Sequence, residues 1–170
     1  MFDWYLKYLE RKGRKSIILD RNKDKVYLNR YYALFPDSVD RERQDIPFNV
    51  LIHQFMSSDD PIYHTHPWNW SFSLILKGGY IEHTPEGNFW RGPGSWRMMR
   101  PNQEITKGSD IHWVEIPQSG KTWTLFIRGR TTHDWGFFPD WYKNGNFMKW
   151  VYWKDFLSIK SDKDYKDSYK

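Results

Sequence analysis

Short runs of β-branched and aromatic residues, each closed by a turn sequence, recur along most of this chain. The clearest turns are SSDDP at residues 57–61, KGG at 77–79 and GPG at 92–94. Strands repeated at intervals of about 8 to 12 residues are typical of antiparallel sandwiches and jelly-roll barrels. Phe, Trp and Tyr make up 19% of the 170 residues, and these side chains favour strands. The pattern therefore predicts an all-β fold.

The run boundaries predict where the individual elements lie. Strands are expected at 16–19, 26–35, 48–56, 70–76, 80–83, 89–91, 96–100, 111–116 and 122–128, with a short strand around the histidines that follow residue 61. Short helices are expected at 2–12 and near 151–157, where the apolar residues are spaced for an amphipathic helix. Residues 37–45 are expected to form a charged loop.

These elements are expected to form one domain, over residues 1–160. Its core should lie at about 15–130, and an aromatic segment at 131–160 should wrap the barrel. The last residues, 161–170, are polar and charged, which is typical of a flexible tail.

Composition excludes several classes of site and partner. The chain has no Cys, which excludes disulfides, thiolate metal sites and a cysteine nucleophile, so any metal must use His and oxygen ligands. No stretch has the apolar length of a membrane span or a signal peptide, so we expect a cytoplasmic protein that does not engage membranes. The net charge of +5 favours anionic partners in general, from nucleotides and phosphorylated metabolites to nucleic acid and acidic proteins, and does not choose among them. Nucleic acid is not expected, because the basic residues are scattered.

The sequence His64-Thr65-His66 is the strongest indication of a functional site. Two histidines one residue apart on an extended strand point to the same side, and imidazole is the commonest metal ligand in proteins. A metal site is therefore the leading hypothesis, and the alternative is a pair of hydrogen-bonded histidines without metal. We expect structural or surface roles for the histidines outside such a pattern, which include His53, His83 and His133.

The segment HTHPWNWSFSLILKG resembles the first cupin motif, in which H-x-H is followed by a Glu ligand, an apolar triplet and a Gly. His64 and His66 match the two His ligands. Residues 74–76 match the apolar triplet, and Gly78 matches the Gly. Ser71 stands where the family usually has its carboxylate, so the metal shell departs from the common pattern.

The second cupin motif, a Gly at a tight turn, a Pro and a His that begins the next strand, is similar to Pro93-Gly94-Ser95, Pro101 and His112. The resemblance implies that His112 is the third metal ligand. The interval before His112 is about six residues longer than in the motif, and a surface loop at 102–110 would absorb that insertion at little cost.

A wider resemblance, to a group of small cupin-like proteins common in bacteriophages, covers roughly residues 26 to 157. It rests on the segments HTHPW, SLILKGGY, PGSW, HWVE, WTLFIRGR and DWGF. It implies a single-domain double-stranded β-helix, the jelly-roll barrel of the cupins, with short helical or irregular terminal segments. A phage-encoded protein would act in the host cytoplasm. Cupins often dimerise through their N-terminal strands, which implies a possible homodimer through residues 1–35.

The resemblance also implies a chemistry. Three neutral imidazoles leave a divalent ion with its full charge and about three open octahedral positions, which suits Fe²⁺ that binds substrate and O₂ together. The three-His iron cupins, cysteine dioxygenase among them, likewise lack the Glu of the first motif. We therefore expect a metal-binding cupin that acts as a non-haem Fe(II)-dependent oxygenase on a small anionic molecule. Zn²⁺, Mn²⁺ or Ni²⁺ would fit the same ligands.

Ligand binding is assigned to residues expected near the barrel mouth. Arginine binds carboxylate or phosphate through a two-pronged contact, and tryptophan stacks on a ligand or excludes water. The predicted ligand-binding residues are Trp68, Ser71, Ser73, Arg97, Arg100, Trp113 and Arg128. The alternative function is a non-catalytic barrel that binds or sequesters a nucleotide or similar phosphorylated ligand, as a phage counter-defence protein would, and Ser71 supports this alternative.

Overall fold

The computed structural model describes residues 3–21, 23–42, 46–100, 110–117, 120–139 and 150–158. Short antiparallel strands dominate these residues. Along the chain they form α1 (Asp3–Arg11), β1 (Lys15–Leu19), β2 (Val26–Tyr32), α2 (Asp37–Glu42), β3 (Asn49–Phe55), β4 (Tyr63–His64), β5 (Ser71–Lys77), β6 (Tyr80–Thr84), β7 (Gly87–Arg91), β8 (Trp96–Met99), β9 (Trp113–Glu115), β10 (Thr122–Arg128), β11 (Gly136–Phe138), β12 (Val151–Tyr152) and α3 (Trp153–Ser158).

The largest sheet has six strands in the order β1-β2-β3-β10-β5-β8. Its central strand β10 pairs antiparallel with β3 on one side and β5 on the other, so Thr124 lies opposite His53 and Ile75. Alternate residues of β10, from Thr122 to Arg128, are buried. This period of two identifies the face of the sheet that is directed into the barrel.

Two three-stranded sheets, β12-β11-β4 and β7-β6-β9, complete the architecture. A β-bridge between His64 and His112 joins them. A buried cluster of Ile75, Tyr80, Val114 and Ile116 connects β5 of the large sheet to the β6-β9 sheet. The hydrophobic core therefore lies between the sheets, as in a jelly roll.

Helices cover two parts of the barrel. Leu9 of α1 is fully buried against Tyr31 and Ile52 on the large sheet. Phe156 of α3 packs on Val151, and Ile62 and Phe137 lie against the same cluster. Within the described parts of the chain, no helix has the length and apolar character that crossing a membrane requires.

The all-β prediction is confirmed, and most strands lie within one or two residues of their predicted bounds. The loop predicted at 37–45 is wrong, because Asp37–Glu42 forms helix α2. The Asp37 carboxylate accepts hydrogen bonds from the Tyr32 hydroxyl at 2.6 Å and the Ser16 hydroxyl at 3.0 Å, and an acidic residue at a helix N-terminus is stabilising. The loop was predicted because the segment is rich in charged residues, and that property does not distinguish a loop from a short exposed helix.

The C-terminal helix begins later than predicted, at Trp153, because Val151–Tyr152 pairs with β11 as strand β12. Gly78, the glycine of the first motif, has φ +80°, and a Cβ there would lie 2.7 Å from the Lys121 carbonyl oxygen. Only glycine fits this turn. Parts of the predicted insertion (101–109) and aromatic wrap (140–149), and the tail (161–170), lie outside the described residues.

Candidate metal centre

Three imidazoles meet where the two small sheets join. The ring centroids are 5.1 Å apart for His64 and His66, 5.2 Å for His64 and His112, and 5.0 Å for His66 and His112. One nitrogen from each ring lies within 4.8 Å of the other two. The structure thus brings together the three histidines that the motifs single out, although 46 or more residues separate His112 from the other two.

The backbone holds this triangle in place. His64 and His112 exchange two backbone hydrogen bonds, with N–O distances of 3.1 and 3.3 Å. The Thr65 amide between the two histidines donates to the Gly136 carbonyl oxygen of β11 at 2.9 Å. Because this segment is extended, Thr65 points away while His64 and His66 point to the same side.

The hydrogen bonds of the rings indicate which nitrogens are available. Nδ1 of His64 lies 3.4 Å from the Ile62 carbonyl oxygen, and Nδ1 of His112 lies 2.6 Å from Oε1 of Glu82. Nε2 of each of these rings is therefore the nitrogen left for a ligand. Nδ1 of His66 is buried without a hydrogen-bond partner among the described residues.

A divalent metal ion fits this donor set. Coordination provides a partner for imidazole nitrogens that the protein leaves without one. All three ligands of the set are imidazole nitrogens, one of the ligand types that remain available in a chain without Cys. Removal from water is the main cause that holds the pKa of His66 and of His112 well below the ordinary value, and repulsion from the neighbouring imidazoles and Arg97 acts in the same direction. Both rings are therefore neutral at pH 7, which is the form that binds metal.

Glu82 is a site residue that the sequence analysis missed. Its side chain is fully buried and accepts hydrogen bonds from His112, from Nε of Arg91 at 2.9 Å and from Nη1 of Arg97. Along β6 the buried residues Tyr80, Glu82 and Thr84 share one face and alternate with Ile81 and His83. The alternation of the sequence YIEHT was the signal that could have placed the Glu82 carboxylate on the inner face.

Asp59 is a second acidic residue that the sequence analysis assigned only to a turn. Its carboxylate accepts a hydrogen bond from the Val114 amide at 2.8 Å. Burial raises the pKa of Asp59, and the proximity of His64 and a hydrogen bond from Tyr27 offset part of that rise. Asp59 therefore places a carboxyl group of raised pKa beside the imidazole triangle, where sequence spacing had placed none.

Four of the predicted ligand-binding residues lie on the inner side of the barrel. Trp68 stacks on His66, with ring centroids 5.5 Å apart and an angle of 20°. It also packs edge-on against Phe126 of β10. Ser71 and Ser73 of β5 are buried, and Arg128, opposite Ser71 in the sheet, is 1% exposed.

Arg97 also lies on the inner side, whereas Arg100 and Trp113 do not. Arg97 is directed inward, and its guanidinium is paired with Glu82. Arg100 is exposed at the end of β8. Trp113 follows His112 and lies on the other side of the sheet, where its ring stacks on His83 at a centroid distance of 3.6 Å.

The histidines expected to have structural roles have partners outside the triangle. His53 stacks on Phe126 and accepts a hydrogen bond at Nε2 from Arg30 at 3.2 Å. His83 contacts Asn88 and Glu115. Nε2 of His133 lies 2.7 Å from the His66 carbonyl oxygen, so His133 supports the backbone of the site.

Several solved structures are similar to this one. A cupin-superfamily sugar phosphate isomerase from Silicibacter pomeroyi matches with a TM-score of 0.50 and 13% identity, over 81% of this chain and 85% of that one. An ectoine synthase from P. lautus matches with a TM-score of 0.47 and 10% identity, over 75% of this chain and 77% of its own. A double-stranded β-helix protein from Klebsiella pneumoniae matches with a TM-score of 0.47 and 10% identity, over 72% of this chain and 96% of its own.

No protein-family model matches the sequence, and no curated protein matches it. The architecture and the isomerase likeness together define the fold: the chain has the double-stranded β-helix fold of the cupin superfamily. At this level of identity the likeness shows the fold alone, so the function has to be argued from the site.

Proposed function

We propose that this protein binds a divalent metal ion, with Fe²⁺ favoured, through His64, His66 and His112 and oxidises a small anionic molecule as a non-haem oxygenase. The observation that carries the proposal is the triangle of three imidazoles, whose ligand nitrogens lie within 4.8 Å of one another. Such an ion, when bound, supplies Lewis acidity and, as Fe²⁺, the electrons for O₂ chemistry.

The substrate class follows from charge. Three neutral ligands contribute no negative charge, so a divalent ion keeps its two positive charges and attracts an anionic ligand. His64 and His66 are only partly buried, which leaves the triangle open to a ligand. A carboxylate or phosphate group is therefore the favoured point of attachment.

The chain's own residues would position the ligand and exclude water. Trp68 covers one face of His66, and Phe126 lies against the same tryptophan. These rings shield the imidazoles from solvent on that side. Asp59, whose carboxylate accepts a hydrogen bond from the Val114 amide at 2.8 Å and lies near His64, is the candidate acid or base of the site.

The test uses protein purified without added metal and then supplied with Fe²⁺ under anaerobic conditions. We expect one bound iron per chain, followed by O₂ consumption when a member of a panel of small carboxylic and phosphorylated acids is added. A protein that takes up none of Fe²⁺, Zn²⁺, Mn²⁺ or Ni²⁺ would overturn the proposal. His112→Ala is the control that should bind no iron.

A second candidate is a barrel that binds a nucleotide or similar phosphorylated ligand without turnover. The observation that favours it is Ser71, which is buried where the first cupin motif has a carboxylate ligand. The same incubation separates the two functions, because a phosphorylated ligand recovered unchanged with the protein supports binding and an oxidised product supports catalysis.

A further inference from the structure

We propose that Glu82 is the positioning carboxylate of the metal centre. It would act on the ion through the ligand His112 and would supply the negative charge that the site lacks where Ser71 stands in place of the usual carboxylate ligand. The inference rests on the proposed metal site and names a residue that no motif marks. Glu82 lies on β6, whereas the missing ligand of the first motif belongs to β5.

The geometry around Glu82 leaves it one orientation. Its carboxylate is 0% exposed, and both oxygens are engaged. Oε1 accepts from Nδ1 of His112 at 2.6 Å and from Arg97, while Oε2 accepts from Nε of Arg91 at 2.9 Å. Charge-assisted hydrogen bonds of this kind are roughly twice as strong as neutral ones.

The contact with His112 sets the state of that ring. With the Nδ1 proton donated to Glu82, the lone pair of His112 lies on Nε2, which is the nitrogen that would bind an ion. A carboxylate partner also raises the basicity of a metal-binding imidazole. Nδ1 of His64 contacts a neutral carbonyl oxygen at 3.4 Å, whereas Nδ1 of His112 contacts a carboxylate at 2.6 Å. Of these two rings, His112 is therefore the more strongly polarised.

The two arginines fix the position of the carboxylate. Arg91 and Arg97 place two guanidinium groups on the Glu82 carboxylate, which would keep it on His112 and out of the coordination shell of a bound ion. Glu82 would therefore contribute its negative charge through His112 and leave the coordination positions to ligands. A directly bound carboxylate, as in the common cupin motif, would occupy one of those positions.

The experiment compares Glu82→Gln with a matched control, Glu115→Gln. Glu115 contacts Nε2 of His83 at 2.9 Å on the outer side of the same sheet, so both variants remove the charge from a histidine-bound carboxylate. Co²⁺ is the probe, because its absorption spectrum reports ligand field as well as occupancy. We expect Glu82→Gln to weaken Co²⁺ binding by about 10- to 100-fold and to shift its spectrum, and Glu115→Gln to do neither.

The outcomes separate this inference from the proposed function. A wild-type protein that binds no Co²⁺ overturns the metal site itself. A wild-type protein that binds Co²⁺, together with a folded Glu82→Gln variant of equal affinity and spectrum, overturns only the role of Glu82.

A measurement on the wild-type protein covers the case in which Glu82→Gln does not fold. Zinc-loaded protein with ¹⁵N-labelled histidine should show His112 bound through Nε2, with a strongly hydrogen-bonded proton on Nδ1. Binding of His112 through Nδ1, or a weakly hydrogen-bonded Nδ1 proton, would overturn the inference.

Discussion

Two histidine–glutamate pairs lie on opposite sides of the sheet β7-β6-β9. Strand β6 directs Glu82 inward and His83 outward, whereas the segment before and along β9 directs His112 inward and Glu115 outward. The distances are similar, at 2.6 Å for the inner pair and 2.9 Å for the outer pair. The same two residue types thus form both pairs, and only the side of the sheet differs.

The surroundings give the two pairs different properties. The outer pair is half in water, since the Glu115 side chain is 48% exposed, and His83 stacks on Trp113. The inner pair is buried with two arginines, and His64 and His66 lie beside His112. A histidine–carboxylate pair is therefore insufficient to define a metal site, and the convergence of further imidazoles in a buried setting distinguishes this one.

Removal of the imidazole from each pair should give the largest difference. His112→Ala removes a proposed metal ligand. It should weaken metal binding by more than the roughly 10- to 100-fold that is typical when a ligand loses only its hydrogen-bond partner. His83→Ala should leave metal binding unchanged, because His83 lies on the outer side of the sheet. Isothermal titration with Zn²⁺ measures both, and equal affinities would contradict the assignment of the site to the inner pair.

Replacement of the two carboxylates by leucine should separate the pairs in stability. Glu82→Leu leaves the partly buried guanidinium groups of Arg91 and Arg97 without their carboxylate. The cost should approach, without exceeding, the roughly 3 to 5 kcal/mol of a broken buried ion pair. Glu115→Leu breaks a half-exposed pair, for which about 1 kcal/mol or less is expected. Urea denaturation of the metal-free proteins compares the two, and a Glu82→Leu protein as stable as the wild type would show that burial does not strengthen the inner pair.

The residues of the inner pair also differ in how far the sequence revealed them. His112 was predicted, despite the longer interval before it, because it matches the second cupin motif. Glu82 was not predicted, because its partners lie 9, 15 and 30 residues away and no local spacing connects them. Local patterns predict which strand a residue occupies, whereas pairing between strands decides which side chains meet.

The same limit explains the elements that were missed. The alternation of strand residues predicted the buried face of β10 and thus the inward direction of Arg128. Strands β11 and β12 were expected to be irregular, because each has only two or three residues and forms through distant partners, such as the pairing of Phe137 with His64. The surroundings of Arg97 depend on Glu82 in the same way, and no pattern within β8 indicates that contact.

A third histidine, His53, extends the comparison to pH. Burial is the main cause that holds the pKa of His53 well below its ordinary value, and the charge of Arg30 adds to it. A histidine with a lowered folded pKa takes up its proton on unfolding, so the metal-free protein should keep its full stability above about pH 6.5 and lose it as pH falls further. His66 and His112 act in the same direction.

Replacement of His53 by glutamine isolates its share of this pH dependence. The glutamine oxygen can still accept the hydrogen bond from Arg30, but the side chain does not titrate. The slope of unfolding free energy against pH below 6.5 should therefore decrease by up to about 1.4 kcal/mol per pH unit. Denaturation at a series of pH values measures the slope, and His83→Gln, outside the barrel, is the matched control. An unchanged slope in His53→Gln would mean that His53 is not buried in its neutral form.

The smallest effect is expected from high salt on the outer pair. Coulombic attraction between exposed charges is screened over about 3 Å at 1 M salt, whereas buried pairs are screened much less. Under conditions in which His83 is protonated, the Glu115→Gln change should therefore cost less than about 1 kcal/mol of unfolding free energy in low salt and almost nothing in 1 M NaCl. The cost of Glu82→Gln should be nearly independent of salt, because its partners are the buried His112 and two guanidinium groups beside it.

Denaturation of both variants and the wild type at the two salt concentrations provides the comparison. If salt reduced the cost of Glu82→Gln as it does that of Glu115→Gln, the inner carboxylate would be in contact with bulk water, and the contrast between the two sides of the sheet would fail.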